Sequence, residues 1–500
     1  MHITASKLYD YLQCPHRVWR DIYGPQEEKI KETNPFVQML WDKGVQYEKK
    51  VITDVGEYLD LSKGDLEERF KKTITAMKAK TSLIYQGVLI VDNLAGIPDL
   101  LRLMPDGLYM PIDIKSGMGV EGEDEENNEE GKPKKHYAVQ LALYCDALIR
   151  LGFENKKKAL IYDIRGNEVE YNLENPIGKI NKITFWELYE EVLLKVSALI
   201  DNKVQNKPAI AGACKLCPWY TSCKKWAENT DDPTCLFYVG RSKRDILNVD
   251  AGINTVQDIL TMNVDDLMRQ HEEDKNFLKG IGQKTIDKIV TRANILRNIK
   301  KPVVYNKIDF PQVDYELFFD IEDDPTQEFV YLHGVYERSP NGERFLDFTA
   351  KEISPSAEKQ AWSDFWQYIR SLPQNNFSIY YYSHHEKTTY KRMQKVYSDV
   401  VSGDEVESFF ENPNVIDLYQ IVLKNTDWPV GSYSLKALAQ YLNFSWRDKT
   451  PSGALSIQWF NDYIKSKDAN ILNRILLYNE DDCKATMVLK DGISSLCLDK

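Results

Sequence analysis

The sequence predicts a multidomain α/β protein, on three observations. At 500 residues the chain exceeds what one core organises, so roughly two to four domains are expected. Short apolar runs bounded by Asp-Asn and Pro-Asp-Gly turns share it with longer segments of helical period. Its 43% hydrophobic and 28% charged residues are the balance of a water-soluble globular chain.

Composition also narrows the class. No apolar run approaches the ~18 residues of a membrane span, and MHITASKLYDYLQCPHR lacks the basic-then-apolar layout of a secretory leader. A cytoplasmic setting without a membrane is therefore expected. Structural disulfides are not expected there, so clustered cysteine reads first as metal binding or redox chemistry. The net charge of −12 argues against a uniformly basic coat, but leaves room for basic residues confined to one groove.

Residues 3–24 read as one amphipathic helix with Ser6 as a candidate cap, ending in a glycine turn. A helix over 36–51 follows, then YQGVLIVDNLAGIPDLLRLMPDGLYMPIDIKSG, whose turn signals predict a small antiparallel sheet. EGEDEENNEEGKPKK, residues 121–135, is almost wholly charged and polar and reads as a mobile loop. HYAVQLALYCDALIRLGF resumes a helix, and KALIYDI is strand-like.

The character changes at 236. DILNVDAGINTVQDILTM and KNFLKGIGQKTIDKIV read as two short helix pairs, turning on Gly252 and on Gly280 with Gly282. A third region opens with the strand-like YELFFDI and closes with a long helix from about Ala469 to Gly492. Domain boundaries are expected near 235 and 305.

Three constellations carry chemistry. In GIPDLLRLMPDGLYMPIDIKSG, Asp113 and Lys115 lie two apart on a strand and so face one side, with Asp99 able to approach from a neighbour. Two carboxylates suit a hard divalent cation, and an adjacent lysine can orient water and stabilise charge on phosphate. Taken alone, D-x-K also describes a surface ion pair. CKLCPWYTSC supplies Cys214, Cys217 and Cys223, and Cys14 lies near the N-terminus. Both zinc and iron-sulfur centres accept four thiolates. In YELFFDIED, Asp320 and Glu322 share a strand face, and in LLYNEDDCKAT, Tyr478 and Asp482 are one helical turn apart, with Asp481 beside them.

These motifs resemble known families. The first resembles the RecB-like branch of the PD-(D/E)XK nucleases, with Gly44 and Glu48 on the first helix, Asp99, Asp113 and Lys115 as the core, and Gln140 and Tyr144 on a following helix. Tyr47 and Glu48 stand where many relatives carry a histidine ligand, so Glu48 either binds metal or forms a salt bridge. The cysteine pattern, one before this core and C-x2-C-x5-C after it, is similar to the 4Fe-4S clasp of CRISPR-associated RecB-like nucleases and related helicase-nucleases. Trp219, Tyr220 and Trp226 would pack around it or stack on bases. Cys145 and Cys235 have no partner pattern and read as small hydrophobes.

LKGIGQKTIDKI resembles a helix-hairpin-helix motif, with backbone N–H groups at Gly280 and Gly282 and the charge of Lys284 offered to phosphate. The last region resembles the RNase H-like 3'-5' exonucleases of the DEDD class, tyrosine subtype. Asp320, Glu322, Tyr478 and Asp482 match its motifs, and Glu386 stands where aspartate is usual. Asp417 would support the fold more than bind metal, and His384 and His385 would serve local structure or phosphate contact. Lys436, in SYSLKALAQYLNFSW, would either touch phosphate or lie on a solvated helix face.

Together the resemblances imply a restriction-endonuclease-like α/β core with an iron-sulfur clasp over 1–235, a small all-α helix-hairpin-helix segment over 236–304 and an RNase H-like α/β domain over 305–500. The implied activity is Mg- or Mn-dependent hydrolysis of single-stranded DNA or DNA ends, alongside DNA-repair or defence proteins. Asp99, Asp113, Lys115, Asp320, Glu322, Tyr478 and Asp482 would be catalytic, with Glu48 and Glu386 as further metal ligands. The other class of reading is a nucleic-acid-binding scaffold with one or both centres silent.

Overall fold

A computed structural model describes residues 2–30, 35–121, 131–153, 155–178, 182–204 and 206–498. Most of the acidic stretch 121–135 lies outside the described residues. The chain divides into two compact units, Met1–Trp226 and Ala227–Lys500.

The N-terminal segment departs from the expected single helix. A two-residue strand, Ile3–Thr4, precedes helices Ala5–Gln13 and Pro15–Tyr23. Proline cannot donate a helical hydrogen bond and pushes the residue before it into extended backbone. Cys14 accordingly sits at the break with φ −161° and ψ 108°. The N-cap is Thr4, whose hydroxyl accepts from the Lys7 N–H at 3.4 Å, and not Ser6.

The main sheet of the first unit has six strands, in the order 168–172, 158–162, 109–114, 100–103, 83–85, 59–60. The expected antiparallel portion is its middle, where Leu100–Leu103 pairs with both Leu83–Tyr85 and Tyr109–Ile114. The sheet as a whole is mixed, because Lys158–Tyr162 joins Tyr109–Ile114 in parallel. A parallel neighbour buries a strand on both faces, and Ile112, Asp113 and Ile114 are all buried. Helix Lys135–Arg150 runs through the core, burying Ala138, Val139, Leu141, Ala142, Leu143 and Leu148. Each fully buried Leu or Val side chain contributes about 1.5–3 kcal/mol.

The second unit opens with helices Arg241–Ala251, Val256–Thr261, Val264–Glu273 and Gln283–Asn294 around a core of Leu247, Val256, Ile259, Leu278, Ile281, Ile286 and Ile289. Gly252 and Gly280, with φ of +68° and +85°, make turns in the left-handed region that favours glycine. A five-stranded sheet follows, ordered 342–349, 329–339, 315–324, 377–381, 415–417, with the central strand Tyr315–Asp324 antiparallel to one neighbour and parallel to the other. Trp362, Phe365, Trp366, Tyr390, Phe409 and Phe410 pack one face. The long helix Ala469–Leu498 lies against the sheet, and its Cys483 is buried with Phe318, Tyr380 and Leu418. Among the described residues no helix is long and apolar enough to cross a membrane.

Candidate active sites

In the first unit, strand periodicity does what the D-x-K spacing requires. Lys115 Nζ meets Asp113 Oδ2 at 2.8 Å, and the Asp113 side chain is almost wholly buried. Asp99 joins from the turn before the adjacent strand, its Oδ2 accepting from the Ile114 N–H at 2.7 Å. Gln86 then ties in the helix Pro35–Asp54: its Nε2 donates to Asp99 Oδ1 and to Glu48 Oε1, both at 3.0 Å, and Tyr85 donates to the same Glu48 oxygen at 2.9 Å. Asp99, Asp113, Lys115 and Glu48 are thus brought together, with Tyr85 and Gln86 as members that sequence reading missed.

The electrostatics are those of buried acids crowded around one ammonium. Burial and the Asp113 charge push the Asp99 carboxyl up to about 8. Burial pulls the Lys115 ammonium down, but Asp113 and Asp99 outweigh it and the net shift is upward. Tyr144 is fully enclosed and hydrogen-bonds Asp113; burial first, then that carboxylate, raises its hydroxyl well above the usual range. Gln140 Oε1, one turn away, is shielded with no hydrogen-bond partner among the described residues. Buried carboxylates facing a lysine are a donor set suited to a hard divalent ion.

The second unit holds a tighter cluster. Asp320, Glu322 and Asp482 bring ligand oxygens within 4.8 Å of one another, the one such group among the described residues. Asp320 and Glu322 come from the central strand, and Asp482 from the long helix. Trp446 Nε1 donates to Asp482 Oδ1 at 2.7 Å, and Asn479 Nδ2 to Asp320 Oδ2 at 2.7 Å. Neither was expected, although Asn479 is three residues from Asp482 and so on its helical face. Burial and Asp482 push Glu322 up to about 8, while burial and Asp482 raise Asp320 well above the carboxylate range. Tyr478 hydrogen-bonds Asp482.

The remaining expectations divide. Glu386 is buried and pushed up to about 7, chiefly by that burial, but it stands outside the three-acid group. Asp417 caps helix Leu418–Asn425, accepting from the Tyr419 N–H at 2.9 Å, as a fold-supporting acid would. Asp481 is taken by Arg447, whose Nε donates to it at 2.8 Å. His385 pairs with Asp323 at 2.9 Å and His384 with Gln420 at 3.2 Å, partners 62 and 36 residues away in the chain. Gly282 is the N-cap of Gln283–Asn294, and Lys284 is exposed on that helix's first turn.

The four cysteines correct the simplest picture of a clasp. Among the described residues no three of Cys14, Cys214, Cys217 and Cys223 bring their sulfurs within 4.8 Å. They still feel one another: burial pushes the Cys223 thiol up to about 12, with Cys217, Cys14 and Cys214 contributing. A tetrahedral zinc site with Zn–S near 2.3 Å would hold sulfurs about 3.8 Å apart, so the spacing is wider than a compact zinc site.

Residues 13–224 match the PD-(D/E)XK nuclease superfamily, and residues 317–494 match the RNase_H superfamily. No curated protein matches the chain. The protein therefore carries two nuclease-type domains, which support a nuclease and imply a nucleic-acid substrate.

Proposed function

We propose that the protein is a Mg- or Mn-dependent nuclease with two catalytic centres, acting on single-stranded DNA or DNA ends. The observation that carries this is the convergence of Asp320, Glu322 and Asp482 within 4.8 Å, from a strand and a helix far apart in sequence. Such a cluster is costly without a cation.

In the first centre Asp99 and Asp113 hold the ion, with Glu48 contributing. The bound ion supplies Lewis-acid polarisation of the phosphodiester. Lys115 faces the same side and offers its charge to the scissile phosphate. Gln140 positions substrate beside it, and the enclosed Tyr144 acts through its hydrogen bond to Asp113. In the second centre Asp320, Glu322 and Asp482 are the ligands, Glu386 assists, and the Tyr478 hydroxyl orients the attacking water. Gly280, Gly282 and Lys284 grip the backbone without reading sequence. No base-reading element is evident in the motifs, which favours single strands and ends.

Cys14, Cys214, Cys217 and Cys223 are assigned to a 4Fe-4S cluster. A cluster binds each thiolate through a different iron and so tolerates wider sulfur spacing than one zinc ion. The three segments are the nuclease domain with its clasp over 1–235, the helical segment over 236–304 and the exonuclease domain over 305–500.

The test is digestion of end-labelled single-stranded and duplex DNA and RNA by wild type, D113A, D320A and the double variant. Residual activity in each single variant and none in the double is expected. An unchanged product pattern in D320A would make the second centre silent and overturn the two-centre reading.

A further inference from the structure

Lys436 is the second residue of the helix Leu435–Tyr441, which is capped by Ser434. Instead of a solvated face, its Nζ donates to the Tyr478 hydroxyl at 3.1 Å and to the Pro451 carbonyl at 2.7 Å. The ammonium lies 4.9 Å from the centre of the Tyr478 ring and 5.7 Å from that of Trp446. Trp446 in turn holds Asp482. The lysine thus faces two aromatic residues that both bond Asp482.

An ammonium has no lone pair and can only donate. With Lys436 donating into the phenol oxygen, the Tyr478 proton must point elsewhere, and Tyr478 bonds Asp482. That fixes the polarity of the chain from Lys436 through Tyr478 to the acids. The ammonium also eases the crowding of charge, acting to lower the carboxyls of Asp320, Glu322 and Asp482 against their burial.

We propose that Lys436 is a positioning residue for the second centre, holding the Tyr478 hydroxyl with its proton on Asp482 so that its remaining lone pair can accept from the reacting water, and supplying the fixed positive charge that competes with the divalent ion. The proposal rests on the reading of that centre as hydrolytic. Two consequences run in opposite directions. Loss of the ammonium frees the hydroxyl to turn, which slows hydrolysis. It also removes a competitor for the carboxylates, which strengthens ion binding.

The experiment uses the full chain carrying D113A, which leaves the second centre to be read alone, with K436M or K436R added. Single-turnover cleavage of end-labelled single-stranded DNA is followed against Mn2+, and Mn2+ binding is measured separately by electron paramagnetic resonance. K436M is expected to cut the maximal rate by about 10- to 100-fold, the usual cost of losing an outer-shell partner, while half-saturation and binding both shift to lower Mn2+. K436R, which keeps the charge and the donors, restores most of the rate and the original Mn2+ dependence. A K436M rate equal to the parent's overturns the proposal. So does a rate loss accompanied by weaker Mn2+ binding and no rescue by arginine, which would mark a merely structural side chain. Adding D320A to D113A separates the two readings. If D320A leaves the residual cleavage intact, the second centre does not cut and both readings fall. If D320A abolishes cleavage and K436M does not alter it, only the role of Lys436 falls.

Discussion

Asn479 and Gly334 are matched by contact. A β-carbon on residue 334 would stand 1.6 Å from Asn479 Oδ1, while Asn479 Nδ2 donates to Asp320 at 2.7 Å. Gly334 is also the cross-strand partner of Asp320. The missing side chain is what lets the long helix press onto the sheet and deliver Asn479, and with it Asp482, to the strand acids.

G334A should therefore push Asn479 off Asp320, costing about 1–3 kcal/mol as an overpacked core does. It should also lower the cleavage that remains in D113A. Urea denaturation and end-labelled digestion check both effects, and parental stability with a parental rate would refute the fit.

Stability should depend on pH in a defined direction. Asp99 and Glu322 sit near 8 when folded, far above the ~4 of unfolded carboxyls, so the folded protein binds their protons more tightly. The ion-free protein then loses stability as pH rises toward 8. His136 and His333, lowered by burial to about 4 and about 3, oppose this only below their unfolded value of ~6.5. Between pH ~6.5 and ~8 the melting temperature in EDTA should fall. Mn2+ should raise it more at pH 8 than at pH 6, because the ion binds the deprotonated acids. An equal Mn2+ gain at both values would argue against these carboxylates as ligands.

The cysteine assignment is open to direct chemistry. Anaerobic purification followed by iron, sulfide and zinc analysis should find iron and sulfide in matched amounts, both lost in C217S. Zinc without sulfide would replace the cluster with a zinc clasp.

Arg292 and Asp427 form a buried pair, Nε to Oδ1 at 2.6 Å, each only 3% exposed. The pair ties helix Gln283–Asn294 to the strand Thr426–Asp427. Removing the arginine leaves a buried carboxylate with no opposite charge, held only by the Tyr305 and Tyr433 hydroxyls at 2.9 and 3.0 Å, a loss of about 3–5 kcal/mol. R292M should show that loss in urea unfolding, and a loss under ~1 kcal/mol would mean the buried pair contributes no more than an exposed one.

Local reading reached the elements whose signal is local. Asp113 and Lys115 facing one side, Tyr478 and Asp482 one turn apart, and the glycine turns at Gly252 and Gly280 all follow from the strand and helix repeats and from φ preference. It missed Gln86, Trp446 and Asn479, because glutamine, tryptophan and asparagine become parts of a site only through what packs beside them. The apolar period alone runs through Pro15 and suggests one helix over residues 3–24, and an amphipathic face fits phosphate and solvent equally well for Lys436.

By itself, the sequence determined which side chains carry charge, which positions share a face, and that two acid-rich α/β regions flank a helical stretch, since these depend on repeats of a few residues. Only the tertiary structure decided that Asp320 meets Asp482 across more than a hundred residues of chain, that Asn479 settles over Gly334, and that Lys436 turns inward onto Tyr478. Such meetings depend on how helix and sheet surfaces fit, and that fit is a property of the packed whole.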